Sequence, residues 1–150
     1  MAISFTDMTP EGRKFVRELN KLLGLEVQVG FQAGDATYDS GADICEIAAY
    51  NEFGGSDRPA RPFMRQSFEN HESELKAACD QVNKAIGKGD TAETALKKLG
   101  VTAKGLVQDE IVEGGFAPNA PSTIAKKGSD TPLIDTATMR GSVNYQIKPR

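Results

Sequence analysis

The side chains able to do chemistry in this chain are few, and their spacing seldom brings them together. Cys45 and Cys79 are isolated thiols, with no Cys-x-x-Cys arrangement and no histidine at ligand spacing. They read as small buried hydrophobes rather than as a redox pair or metal ligands. His71 is the one histidine, placed in a polar helical stretch. It reads as a solvated surface side chain, because a zinc site needs companion ligands. Asp35, Asp39 and Asp43 recur every four residues, whereas a calcium loop needs alternating oxygen ligands. With no glycine-rich phosphate loop in the sequence, neither a metal nor a cofactor is expected.

Two patterns invite an enzymatic reading. Ser73-Glu74-Leu75-Lys76 has the Ser-x-x-Lys spacing of penicillin-recognising enzymes, but Thr94-Ala95-Leu96-Lys97 and Thr123-Ile124-Ala125-Lys126 match a threonine version of it. Three matches in one small chain, without the supporting motifs, mark the pattern as chance. Leu133-Ile134-Asp135-Thr136-Ala137 looks like the Asp-Thr-Gly loop of aspartic proteases with alanine in third place. That chemistry needs two carboxylates sharing one proton, because like charges so close do not both ionise. A homodimer would have to supply the second. Thr136-Ala137-Thr138-Met139-Arg140 is also a sequence that forms a helical turn, and Asp135 is a good residue to cap one. The chain is therefore read as non-enzymatic, with a homodimeric aspartic protease at Asp135 as the alternative.

Residues 1–150 are expected to form a single domain with a modest core, in which seven phenylalanines supply much of the large apolar volume in the absence of tryptophan. No apolar run approaches the roughly 20 residues that span a bilayer, and the first residues lack the basic start and apolar stretch of a signal peptide. The expected place of synthesis is the cytosol, with no membrane partner. The net charge of −3 argues against a dedicated nucleic-acid binder. Its distribution is uneven. No basic residue falls between Lys21 and Arg58, where Glu26, Asp35, Asp39, Asp43, Glu46, Glu52 and Asp57 lie, and the stretch from Lys126 onward is basic. The plain reading is an acidic solvated surface and a basic tail. The sharper one is a subunit whose acidic face meets a neighbour's basic face in head-to-tail assembly.

The elements that must position these groups are signalled locally. Thr9 as N-cap, Pro10 at the first helical position, Glu11 in the first turn and Gly24 beyond the end delimit a first helix. Phe15, Val16, Leu19, Leu22 and Leu23 form its apolar stripe. Residues 25–31 alternate as a half-buried strand with Val27, Val29 and Phe31 on one side. Asp43 and Glu46 predict a capping box opening a short helix that ends near Gly54. A long helix is expected over 62–86, with Phe63, Phe68, Leu75, Ala78, Cys79, Val82 and Ile86 on its apolar side, stopped by Gly87-Lys88-Gly89. Asp90 and Glu93 predict a second capping box. The pattern through Ala95, Leu96, Leu99, Val107 and Ile111 fits one helix or two, with a kink or break at Gly100. Residues 142–148 alternate as a last strand. Segments 32–42 and 114–132 lack apolar periodicity and are candidate interaction loops, expected to be mobile in a free subunit and ordered on assembly. The fold class is α+β: a small, mainly antiparallel sheet covered by the long helix and shorter helices, with extended loops.

The most informative segment is Tyr50-Asn51-Glu52-Phe53-Gly54, followed by Arg58-Pro59-Ala60-Arg61-Pro62-Phe63-Met64-Arg65. It ends one helix, turns on glycine and proline, and starts another. Each proline fixes its own φ and biases the preceding residue toward extended backbone, so the corner is stiff. Phe53, Phe63 and Met64 are expected to pack it, with Arg58, Arg61 and Arg65 presented outward. Such a joint suits docking.

With Ala48-Ala49 before this corner, Ala95-Leu96-Lys97-Lys98-Leu99-Gly100, Asn119-Ala120-Pro121-Ser122-Thr123-Ile124, Lys127-Gly128-Ser129 and Pro132-Leu133-Ile134-Asp135-Thr136, the chain resembles the tail-completion or head-tail joining proteins of the tailed-phage neck. The order and spacing of the motifs carry the resemblance; Ala137 departs from the glycine expected after Asp-Thr. The resemblance implies a structural virion protein, made in the host cytoplasm, that forms a homo-oligomeric ring joining the DNA-filled head to the tail. Its neighbours would be neck adaptor or stopper proteins and a tail terminator or tail tube. Double-stranded DNA would pass through the lumen without sequence-specific binding, and an acidic chain suits that role because tight phosphate binding would brake the passage. The alternative within the neck is the tail terminator that caps the tail tube. Arg58, Arg61, Arg65, Phe53, Phe63 and Asp135 are the interface candidates.

Overall fold

Thr9, Pro10 and Gly24 delimit helix α1 (Pro10–Leu23) as their chemistry requires: the Thr9 hydroxyl accepts from the Gly12 amide at 3.1 Å, and Gly24 follows the last turn. The computed structural model describes residues 4–35, 37, 41–114 and 138–150. After α1 come β1 (Leu25–Gly30), α2 (Ile44–Phe53), α3 (Phe63–Asn70), α4 (Glu72–Gly87), α5 (Ala92–Glu113), α6 (Thr138–Ser142) and β2 (Asn144–Pro149). The class is α+β, helices with a two-stranded antiparallel sheet in which β1 pairs with β2. Of the candidate loops, 114–132 beyond Gly114 and parts of 32–42 lie outside the described residues.

Where one long helix was expected over 62–86, there are two. His71 interrupts the rod with φ −114° and ψ 26°, and its amide still donates to the Ser67 carbonyl at 3.1 Å. The apolar pattern runs on across the break because α3 and α4 serve different cores. α4 then ends in a Schellman turn. Gly89 sits at φ +102°, its amide reaches the Ile86 carbonyl at 3.0 Å, and the Asp90 amide reaches back to Ala85 at 3.0 Å.

At the start of α5 the structure corrects the expected capping box. Thr91 takes the capping position, its hydroxyl accepting from the Thr94 amide at 3.2 Å, while the Asp90 carboxylate pairs with Lys98 at 3.3 Å. α5 then runs unbroken through Gly100, which resolves the open question of one helix or two. The glycine is there for space: a Cβ at Gly100 would lie 2.6 Å from Tyr145 Cγ.

The chain divides into two compact units. In the unit formed by Met1–Gln28, Ser73–Thr102 and Tyr145–Arg150, the buried core is Val82, Ile86, Ala92, Ala95 and Leu96. Leu19 and Leu22 of α1, with Leu25, Val27 and Ile147 of the strands, pack against it. In the unit formed by Val29–Glu72 and Ala103–Asn144, the core is Ile44, Ala48, Phe63, Val107, Ile111, Met139 and Val143, joined by Val29, Phe31, Cys45 and Met64.

Both cores are built mainly from aliphatic side chains, which corrects the expectation that phenylalanine would fill them. Of the described phenylalanines only Phe63 is fully buried, while Phe5, Phe15, Phe53 and Phe68 are exposed. The stripe of α1 is also only half used. Leu19 and Leu22 pack, but Leu23 is 71% exposed, and the side chain buried on this helix is Glu18. That carboxylate accepts from the Ala92 amide at 2.8 Å, satisfying one orphan donor at the start of α5 from another helix, and Lys21 lies 3.2 Å from it.

Candidate functional site

α2 opens on Asp43. Its carboxylate accepts from the Cys45 amide at 2.9 Å and from the Gly34 amide at 2.6 Å, and these bonds, that from Gly34 first, hold it below the ordinary aspartate range. Glu46, the expected partner in a capping box, accepts instead from the Tyr50 hydroxyl at 3.2 Å. The helix ends at Gly54, whose φ of +70° and ψ of −165° fall in a region essentially reserved for glycine. A Cβ there would lie 2.6 Å from the Ala60 amide nitrogen.

The corner beyond Gly54 is closed by backbone bonds at each step. Gly55 and Arg58 pair across a tight turn, the Gly55 amide reaching the Arg58 carbonyl at 3.0 Å. The Arg61 amide donates to the Asn51 carbonyl at 2.6 Å, fastening the returning chain to the last turn of α2. Pro62, at φ −79° and ψ 62°, is the centre of an inverse γ-turn closed by the Phe63 amide on the Arg61 carbonyl at 2.8 Å.

α3 then begins without a side-chain cap of its own, since Pro62 has none to offer. Glu52 of α2 supplies it. One carboxylate oxygen accepts from the Met64 amide at 2.8 Å and the other from the Arg65 amide at 3.1 Å, placing a negative charge on the first turn of α3. Phe63 is buried against the edge of Phe31, with ring centroids 5.9 Å apart and planes at 81°.

Of the interface candidates, Phe63 lies inside as expected, whereas Phe53 does not: it is 81% exposed at the last residue of α2. The expected packing of the corner is therefore done by Phe63 and Met64 with Phe31. Arg58 lies over the ring of Tyr50, 5.5 Å from its centroid, and 3.6 Å from Asp57. Arg65 reaches Glu69 at 4.0 Å with both side chains exposed, a pair of little energetic weight. Arg61 is partly buried, and that burial, with the charge of Arg58 second, lowers its guanidinium below the ordinary value. Asp135, the remaining candidate, lies outside the described residues, as does Thr123-Ile124-Ala125-Lys126.

Other groups singled out by the sequence take different places. Cys79 is exposed rather than buried; Cys45 is half-buried, and desolvation with nearby Asp43 raises its thiol. Asp39 lies outside the described residues, and among those described no group of three or more acidic, histidine or cysteine side chains could hold a metal ion.

His71 is not the solvated side chain expected. Its Nε2 lies 3.1 Å from Oε2 of Glu110, a carboxylate only 6% exposed, whose Oε1 accepts from Gln66 at 2.7 Å and Asn70 at 3.1 Å. Sequence reasoning missed this cluster and the Glu52 cap. The one usable signal for the cluster was a glutamate beside Ile111 on the apolar side of α5.

The exposed corner thus offers a phenyl ring, a phenol ring stacked under a guanidinium, and the exposed Arg65, on a backbone pinned by Gly54, Asn51 and Glu52. Such a surface can bury aromatic area and bond carboxylates. Comparisons with protein-family models, curated proteins and solved structures find no match to this chain.

Proposed function

We propose that this chain is a structural subunit of the tailed-phage neck, assembling head-to-tail into a ring that joins the DNA-filled head to the tail. One observation carries the reading. The motif Asn51-Glu52-Phe53-Gly54 with Arg61-Pro62-Phe63, one of those whose order carries the resemblance, forms a pinned corner that leaves Phe53 81% exposed at the end of the helix whose Tyr50 ring lies under Arg58. An aromatic anchor flanked by arginine is the side-chain combination enriched where protein surfaces bind one another. The corner takes the neighbouring subunit or the adjoining neck protein, and the chain acts through contacts rather than bond chemistry.

The test is genetic and structural together. Arg61→Ala in the phage that encodes the chain is expected to leave filled heads and finished tails that fail to join, seen by electron microscopy of the lysate. Reconstruction of the neck is expected to show the chain as a closed ring with a heterologous interface. Normal infectivity of the Arg61→Ala phage would remove this residue from the interface, and a single copy or an isologous dimer in the virion would sink the ring.

A further inference from the structure

α3 has eight residues, too few to hold a helix by its own hydrogen bonds, so it depends on what grips its ends. At the N-terminus the grip is Glu52, through the Met64 and Arg65 amides. At the C-terminus it is Glu110 of α5, gathering Gln66, Asn70 and His71. The Gln66 amide is shared with the Gly114 carbonyl at 2.7 Å.

Glu110 is nearly excluded from water, and a buried carboxylate is costly unless a positive charge compensates it. Gln66 and Asn70 are neutral donors. Among the described residues His71 is the contacting group able to carry a charge, and it sits at the break between α3 and α4. We propose that His71 and Glu110 form a proton-operated clasp: the imidazolium clamps the end of α3 onto α5, and loss of the proton loosens that end of the helix.

The surrounding charges favour the cation. The charged side chains closest along these elements to His71 and Glu110 are Glu69 and Arg65 on α3, Glu72, Glu74 and Lys76 on α4 and Asp109 and Glu113 on α5, with Arg140 on α6; five of these eight are acidic. The direction of the linkage follows. A histidine whose proton is held more tightly in the folded state contributes stability that is full below its unfolded pKa of about 6.5 and lost as pH rises through the higher folded value. Each unit by which the folded pKa is raised corresponds to about a tenfold change in the local opening equilibrium.

His71 is the chain's one histidine, so its imidazole titration in the full chain is read by NMR without ambiguity. It is expected above the ordinary value of roughly 6.5, and Glu110→Gln is expected to bring it back toward that value. Hydrogen exchange of the α3 amides, corrected for intrinsic rates, is expected to show opening that rises through the same pH range. His71→Gln, which keeps a neutral donor facing Glu110, is expected to fold and to abolish that dependence; it serves as the test where Glu110→Gln does not fold. A titration at about 6.5 or below in the unsubstituted chain, or one unmoved by Glu110→Gln, overturns the proposal. So does α3 opening that is flat with pH, or that keeps its pH dependence in His71→Gln.

Discussion

Gly100 of α5 and Tyr145 of β2 fit together only because the glycine has no side chain: the ring lies where a Cβ would come within 2.6 Å of its Cγ and 2.7 Å of its Cε2. The contact allows the second strand to lie against an uninterrupted helix.

This relationship inverts the usual effect of removing a helical glycine. Replacement by alanine in a helix normally gains about 0.5–1 kcal/mol, and Gly105, on the same helix with nothing within 4 Å of its would-be Cβ, should behave so. Gly100→Ala should instead cost about 1–3 kcal/mol, because the ring must move to admit the methyl group. Urea denaturation of both variants checks the opposite signs, and Tyr145→Ala should relieve most of the Gly100→Ala penalty in a double-mutant cycle.

At the corner, Gly54→Ala should destabilise by about 1–3 kcal/mol from backbone strain alone, with the clash on Ala60 added to it. A melting temperature equal to that of the unsubstituted chain would mean that the corner relaxes freely, which the bonds closing it do not permit.

The two phenylalanines of the corner should separate stability from assembly. Phe63→Ala empties a fully buried position and should cost about 3–5 kcal/mol. Phe53→Ala removes an exposed ring and should change stability by no more than about 0.5 kcal/mol. Thermal melts of the isolated variants, set beside the head-tail joining that the proposed function assigns to the chain, test this. Loss of joining by Phe53→Ala without loss of stability is the expected result.

Glu52 should act as the cap of α3. Glu52→Ala is expected to cost about 0.5–2 kcal/mol, and Glu52→Gln less, since its one amide oxygen can still accept from one of the Met64 and Arg65 amides. Chemical denaturation gives the comparison directly.

Acid sensitivity should trace partly to Glu18. Its bond from the Ala92 amide, the largest cause, and then its contact with Lys21 lower its pKa from 4.5, against the opposing effect of desolvation. A carboxylate depressed in the folded state contributes stability that is present above its unfolded pKa and lost as pH falls through the folded value. The melting temperature should therefore fall as the pH drops below 4.5, and Glu18→Gln should flatten that fall. Asp43, held down by the Gly34 and Cys45 amides, should contribute in the same direction.

What was legible in the amino-acid sequence is what acts over a single turn. Thr9 and Pro10 start α1, Asp43 starts α2, Gly54 ends it, and Gly89 ends α4, because a cap or a positive φ is decided by residues within four or five positions. Period-two alternation was enough to find both strands, and the aromatic character of the corner was visible as well. The same information left undecided which phenylalanine of the corner would be buried, since Phe53 and Phe63 are chemically identical and differ only in whether Phe31 and Met64 meet them.

The remaining decisions belong to contacts between positions far apart in the chain. Glu18 and Ala92 are 74 residues apart, and Glu110 and His71 are 39 apart. No local period marks either pair, since a glutamate that caps a distant helix has the same sequence appearance as a solvated one. The break at His71 has the same origin. Local propensity and apolar spacing favoured a continuous helix over 62–86, and tertiary packing overrode them by drawing Phe63 into one core and Val82 and Ile86 into the other. Sequence alone determined the helix and strand starts because their energies are local; only the tertiary structure decided which carboxylates were buried, which glycine was needed for space and which aromatic ring faced water, because those energies depend on neighbours that the folded chain supplies.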